Sequence, residues 1–289
     1  MKGIYLPLMT PFKLNGEIDF NCLEGMIEHH LRQGVHGFYV GGSSSECFMM
    51  SVPERQSLLL EIAAIIRGRV PLIAHVGVIS LHDVRQLIDT AVDAQYDAIS
   101  ATPPFYYGFS KAEVTHYYQS IARYSPLPLL LYNIPGTTGV SFTHQELFDL
   151  SALPNVIGIK HTTSDMFFIE QLRQRVSDSV IFHGEDTMLV NGLQMGASGG
   201  IGSTYNLMSA DYVALYQAME NDDIERAMSL QHRVNTVTTQ LLECGVYQSI
   251  KFVMNEMGVE YGHCREPFLP LLSEQKERLT RVIDDIYFK

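Results

Sequence analysis

Asn155-Val156-Ile157-Gly158-Ile159-Lys160-His161-Thr162-Thr163-Ser164-Asp165 is a short apolar run that stops at a lysine, a Thr/Ser cluster and an aspartate. The run suits a strand buried on both faces, and Ser164 or Asp165 ahead of Phe167, Phe168 and Leu172 suits a helix start. Lys160 therefore falls where a strand ends and a loop begins. Lysine is a poor strand residue and costly to bury. The ordinary reading is an ammonium reaching water beyond the strand. In a parallel barrel, however, the carboxyl ends of the strands carry the chemistry.

The same alternation extends in both directions. Apolar runs at 4–10, 37–40, 71–76, 97–101, 128–132, up to Lys160, 180–183 and 197–201 read as eight strands. Helical patterns separate them: Asp19 to about Arg32, Pro53 to about Arg67, Ser80 to about Gln95, and onward from Ser110. A strand and helix recur every ~25–30 residues, which predicts a parallel sheet. Eight units without a gap favour a closed (β/α)8 TIM barrel, an α/β fold, over residues 1–221. The remainder, 222–289, has Ile224, Ala227, Met228 and Leu230 leading toward Val234, Val237, Leu241 and Leu242. No Gly/Pro-rich linker precedes it, so it is expected to form a C-terminal extension of helices packed on the barrel.

At 289 residues the chain can bury one large core, and 46% hydrophobic with 18% charged residues is ordinary for a globular protein. The net charge of −12 argues against nucleic acid or an anionic membrane surface as partner. It leaves room for an acidic small molecule in a local pocket. Met1-Lys2-Gly3-Ile4-Tyr5 shows no signal-peptide pattern, and no apolar run approaches the ~20 residues that span a bilayer. Cys22, Cys47, Cys244 and Cys264 contain no CxxC pair, so a disulfide framework or zinc site is not expected. A reducing cytoplasm is the expected location.

Of the seven lysines, only Lys160 falls at the carboxyl end of an expected barrel strand. Ser43, Ser44, Ser45, Tyr106, Tyr132, Thr162, Asp186, Ser203 and Thr204 share that end. A lysine facing a tyrosine in a barrel mouth suggests a covalent Schiff base, with the amine as nucleophile. Its ordinary pKa of about 10.4 must fall about 3 units to free it near neutrality, and burial has the right sign. Tyr132, ending the neighbouring strand, can move protons; alternatively it is a core tyrosine with its hydroxyl at the rim. Gly41-Gly42-Ser43-Ser44-Ser45 and Gly199-Gly200-Ile201-Gly202-Ser203-Thr204 let backbone approach a ligand and offer hydroxyls. No cation lies near the second run in sequence, so hydroxyl or carboxylate recognition is expected there rather than phosphate. Asp186 either binds a polyol or caps the helix that follows. Phe105-Tyr106-Tyr107 suits packing or a subunit contact. His161 and His183 follow different strands and lack a third partner, so no metal and no other cofactor is expected.

These residues resemble the pyruvate-dependent, class I aldolase superfamily of N-acetylneuraminate lyase and dihydrodipicolinate synthase. The marks are Gly41-Gly42-Ser43 with Glu46, Tyr132-Asn133-Ile134-Pro135, Gly158-Ile159-Lys160 and Thr162. Ala74-His75-Val76-Gly77, Phe105-Tyr106-Tyr107 and Gly199 to Asn206 resemble the sialic acid lyase branch. The synthase branch places an arginine at the position of Thr137, which disfavours that activity here. The resemblance implies retro-aldol cleavage of N-acetylneuraminate to N-acetylmannosamine and pyruvate. Lys160 would carry the imine, and Tyr132 would take the C4 hydroxyl proton, helped by Ser44 and by Tyr106 of a neighbouring subunit in a homotetramer. Ser43 and Ser44 would hold the carboxylate, with Thr162, Gly184, Asp186, Thr187, Ser203 and Tyr247 around the rest of the substrate. Ser45 stands at a usual glycine, Thr187 at a usual glutamate and Tyr247 at a common phenylalanine. Thr187 leaves another 2-keto-3-deoxy sugar acid as the alternative substrate. A non-catalytic sugar-acid-binding barrel is the remote one.

Overall fold

The computed structural model describes residues 1–283; the end of the expected helical extension, 284–289, lies outside the described residues. In order the elements are β1 (Gly3–Pro7), α1 (Phe20–Arg32), β2 (Gly37–Val40), α2 (Val52–Ile66), β3 (Leu72–His75), α3 (Leu81–Asp93), β4 (Ala98–Ala101) and α4 (Lys111–Tyr124). Then come β5 (Leu129–Asn133), α5 (Pro135–Thr138), α6 (His144–Ser151), β6 (Val156–His161), α7 (Met166–Arg175), β7 (Val180–His183), α8 (Leu189–Gln194), β8 (Gly199–Gly200) and α9 (Tyr205–Glu220). Three more helices follow: α10 (Ile224–Cys244), α11 (Val246–Glu256) and α12 (Ser273–Ile283). The eight strands are parallel neighbours in chain order and close on themselves, β8 pairing with β1. The closed (β/α)8 barrel expected from the alternation is the fold observed.

Local chemistry accounts for the helix starts. Ser51 with Glu54 and Ser110 with Glu113 form reciprocal capping boxes on α2 and α4, satisfying N–H groups that a helix leaves unpaired. Asp165 caps α7 by accepting from the Phe168 amide at 3.1 Å. The reading above passed over α5 and α6 between β5 and β6. Their signals were present: Pro135 sits in the first turn of α5, and Thr143 with Glu146 boxes α6.

Two strands, β1 and β8, depart from expectation by more than one residue at an end. β1 stops at Pro7 rather than residue 10, because the Met9 amide turns to the Asn206 carboxamide at 3.4 Å. β8 is only two glycines long, where 197–201 was expected. A Cβ on Gly199 would sit 1.9 Å from the Gly3 carbonyl oxygen, so barrel closure at this seam requires bare backbone.

Alternate residues face inward and form a compact inner core of Tyr5, Tyr39, Ile73, Ala98, Leu130, Tyr132, Phe182 and Ile201. The opposite faces pack under the helices in a larger outer core. The register sets Tyr132 opposite Lys160 and Lys160 opposite Phe182. After α10 a turn at Gly245 (φ 100°) returns the chain as α11, which carries Tyr247 and Gln248 over the barrel mouth.

Candidate active site

Lys160 is the penultimate residue of β6 and is only 5% exposed. Its Nζ lies 4.1 Å from the centre of the Tyr132 ring and 4.7 Å from that of Tyr39. Among the described residues no carboxylate forms an ion pair with it. Burial therefore pulls its pKa down to about 7, against weaker upward pulls from Asp186 and the Cys47 thiol. At neutral pH about half of such amines are uncharged nucleophiles. The Tyr132 phenol shows the converse: burial raises its pKa to about 12, partly offset by the Ser43 and Thr162 hydroxyls. Thr162 Oγ1 is buried and makes no hydrogen bond of good geometry of its own.

The chain beyond β2 forms a 3-10 turn, Ser43–Ser45, whose first amides have no partner within the turn. Ser44 Oγ meets Ser203 Oγ at 2.7 Å, joining the β2 and β8 loops. Ser45, the residue at a usual glycine, is accommodated: its hydroxyl is buried against Thr10 Oγ1. Glu46 then adopts a left-handed conformation (φ 58°), and its Oε1 accepts from Lys251 Nζ of α11 at 2.6 Å. Both groups are almost wholly buried. Lys251 donates as well to the carbonyls of Thr10 and His263, and Glu46 Oε2 accepts from the Arg265 amide. The serine turn is thus tied to the C-terminal segment through a fully satisfied ion pair.

Beneath Tyr132 lies His75, its ring centre 6.0 Å from the phenol ring. The Thr102 amide donates to His75 Nε2 at 3.3 Å, so the proton sits on Nδ1, which reaches the Gly41 carbonyl at 3.0 Å. Burial and the nearby Arg55 guanidinium hold this imidazole neutral, well below its ordinary pKa. Arg55 is itself buried and donates to the His75, Gly77 and Gly41 carbonyls. The ends of β2 and β3 are thereby clamped under the amine. Glu46, Lys251, Arg55 and His75 support the site, and none was assigned a role from sequence. Only the marks around Glu46 and His75 were visible there.

A cavity of about 480 Å³ opens beside the amine, lined by Gly184, Asp186, Thr187, Ser203 and Tyr247 among others. The structure thus brings together these sequence-identified residues, with Thr162 and the serine turn adjoining. Gly184 has no room for a side chain, since a Cβ would lie 1.9 Å from Thr162 Oγ1. Asp186 does not cap the helix that follows it. Its Oδ2 accepts from the Thr204 amide at 2.8 Å and hydroxyl at 2.7 Å, bracing the start of α9, while its Oδ1 packs against Gly202. Tyr247 stands edge-on to Phe268. Tyr106 is not among the cavity-lining residues: it is 84% exposed, with φ 80°, and contacts Tyr107. Among the described residues no group of three or more His, Cys, Asp or Glu side chains could hold a metal ion.

The arrangement couples a buried amine of lowered pKa to a neutral phenol, next to a cavity lined by hydroxyls. Comparison with known proteins places it. The chain is 43% identical over 268 residues to an N-acetylneuraminate lyase of Rhizobium meliloti, covering 93% of this chain and 89% of that protein. It superposes on Clostridium difficile CdNal in complex with mannosamine with a TM-score of 0.96, at 34% identity and 99% coverage of both chains. It matches a catalytic lysine mutant of Ruminococcus gnavus sialic acid aldolase with a TM-score of 0.93, at 28% identity, covering 99% and 96%. The dihydrodipicolinate synthetase family model matches residues 1–286, and this chain belongs to that family.

Proposed function

We propose that this chain is a class I aldolase that cleaves N-acetylneuraminate to N-acetylmannosamine and pyruvate. The observation that carries the reading is the buried Lys160 amine, 4.1 Å from the Tyr132 ring with its pKa drawn to about 7. The lyase and aldolase relatives support it. The serine turn holds the substrate carboxylate through its free amides and the hydroxyls of Ser43 and Ser44. The neutral amine adds to the keto carbon. As the carbinolamine loses water, the departing oxygen takes the Tyr132 proton, leaving a phenolate beside the new iminium. That phenolate removes the C4 hydroxyl proton. The C3–C4 bond breaks, its electron pair passes into the iminium to give an enamine, and the aldehyde N-acetylmannosamine departs. Tyr132 returns the proton to C3, and water releases pyruvate from the imine. No metal or other cofactor takes part in this scheme.

The finer parts of the reading rest on the surface. Tyr106 and Tyr107, exposed near Phe105 and Phe48, offer an aromatic face for a second copy, which fits a homotetramer whose neighbour lends Tyr106 to the site. Four free cysteines, three of them buried, fit a reducing cytoplasm. Among the described residues no helix is long and apolar enough to cross a membrane. Pyruvate release from N-acetylneuraminate tests the assignment. Release well above that from a six-carbon 2-keto-3-deoxy acid supports it, and the reverse order transfers the assignment to the shorter acid.

A further inference from the structure

The wall of the cavity has a chemical character of its own. No lysine, arginine or histidine lines the cavity, whereas Glu185 and Asp186 both do. The two acids are used differently. Asp186 is committed to Thr204. Glu185 follows Gly184 at the turn out of β7, is half-buried, and among the described residues its carboxylate has neither an ion pair nor a hydrogen bond. Burial, with Asp186 alongside, raises its pKa, the mark of a carboxylate short of donors. A half-buried acid has given up part of its hydration, and hydroxyl donors of a ligand would restore those hydrogen bonds. The neighbouring lining consists of hydroxyls from Thr187, Ser203 and Thr238, the Gln248 amide and apolar Leu242. Such a wall complements an uncharged polyol and repels a phosphate or a second carboxylate.

We infer that Glu185 is a specificity-determining residue: its carboxylate accepts hydrogen bonds from hydroxyls at the far end of the substrate, selecting long, uncharged, hydroxyl-bearing keto acids. This deepens the aldolase reading above and rests on it. Loss of one hydrogen bond to a charged acceptor is worth about tenfold or more in affinity.

The test compares the wild type with Glu185→Gln, Glu185→Ala and Glu185→Asp. Each is assayed on N-acetylneuraminate and on a six-carbon 2-keto-3-deoxy acid, which lacks the tail. The ratio of kcat/KM for the long acid over the short one is expected to fall about tenfold in Glu185→Ala. KM should carry the change, and Glu185→Asp should recover part of it. Because the carboxylate has no partner in the fold, Tm should hold or rise. An unchanged ratio overturns the inference and leaves the aldolase reading intact. So does a fall accompanied by a change in oligomeric mass, which would assign Glu185 to a subunit contact. Failure of the wild type to release pyruvate from either acid removes the aldolase reading and this inference with it.

Discussion

Replacing Lys160 by methionine should make the protein more stable, and the gain should depend on pH in a defined way. Burial lowers the Lys160 pKa from 10.5 to about 7. The unfolded chain therefore binds one more proton than the folded chain between about pH 7 and pH 10.5. Stability rises with pH wherever the unfolded state holds more protons, so this lysine destabilises fully below pH 7 and ceases to do so near pH 10.5. At 1.36 kcal/mol per unit, the penalty at low pH is roughly 4–5 kcal/mol. Methionine fills a similar volume without a charge. Urea unfolding of both proteins, at one fixed protein concentration, should show the variant more stable at pH 7. Its advantage should shrink by about 1.4 kcal/mol per pH unit towards pH 10. Groups that titrate in both proteins cancel in the difference. A difference that stays constant between pH 7 and pH 10 would mean that the folded protein carries an ordinary exposed lysine, and the reasoning would fail.

Three other outcomes follow from the same geometry. With the nucleophile titrating near 7 and Tyr132 near 12, kcat/KM should rise through about pH 7 and hold on the alkaline side; Tyr132→Phe should lose at least about a hundredfold in kcat. A flat profile from pH 5 to 8 would contradict the assignment of Lys160. Lys251→Met strands Glu46 as a buried charge and should cost about 3–5 kcal/mol in chemical denaturation, with Glu46→Gln added to it recovering part of the loss. Equal stability of the single variant and the wild type would show that the pair is not buried as described.

The barrel was legible because each strand and helix is specified by residues adjacent in sequence, and eight short repeats in chain order leave little choice of topology. Lys160 and Tyr132 were legible for the same reason: both end local apolar runs, and successive strands of a barrel are neighbours. What escaped was long-range. Glu46 and Lys251 are 205 positions apart, and nothing near either residue announces the pair. Arg55 reads as an ordinary helix residue until α2 is laid against β3. Asp186 read as either a polyol ligand or a helix cap, and its partner in the fold is Thr204, across the β7–β8 corner. Glu185 lies between two residues singled out by resemblance and was passed over, since an unpartnered carboxylate is recognisable only once its surroundings are known. Tyr106 belongs to a further category, because the contact expected of it is with another copy of the chain.

The central claim is that one buried amine forms a covalent imine with the keto acid, and borohydride trapping addresses it directly. Incubation with pyruvate and sodium borohydride, followed by proteolysis and mass mapping, should place a single reduced pyruvyl group on the peptide containing Lys160, with activity lost in step. Modification of other lysines while that peptide stays unmodified, or full activity after exhaustive reduction, would contradict it.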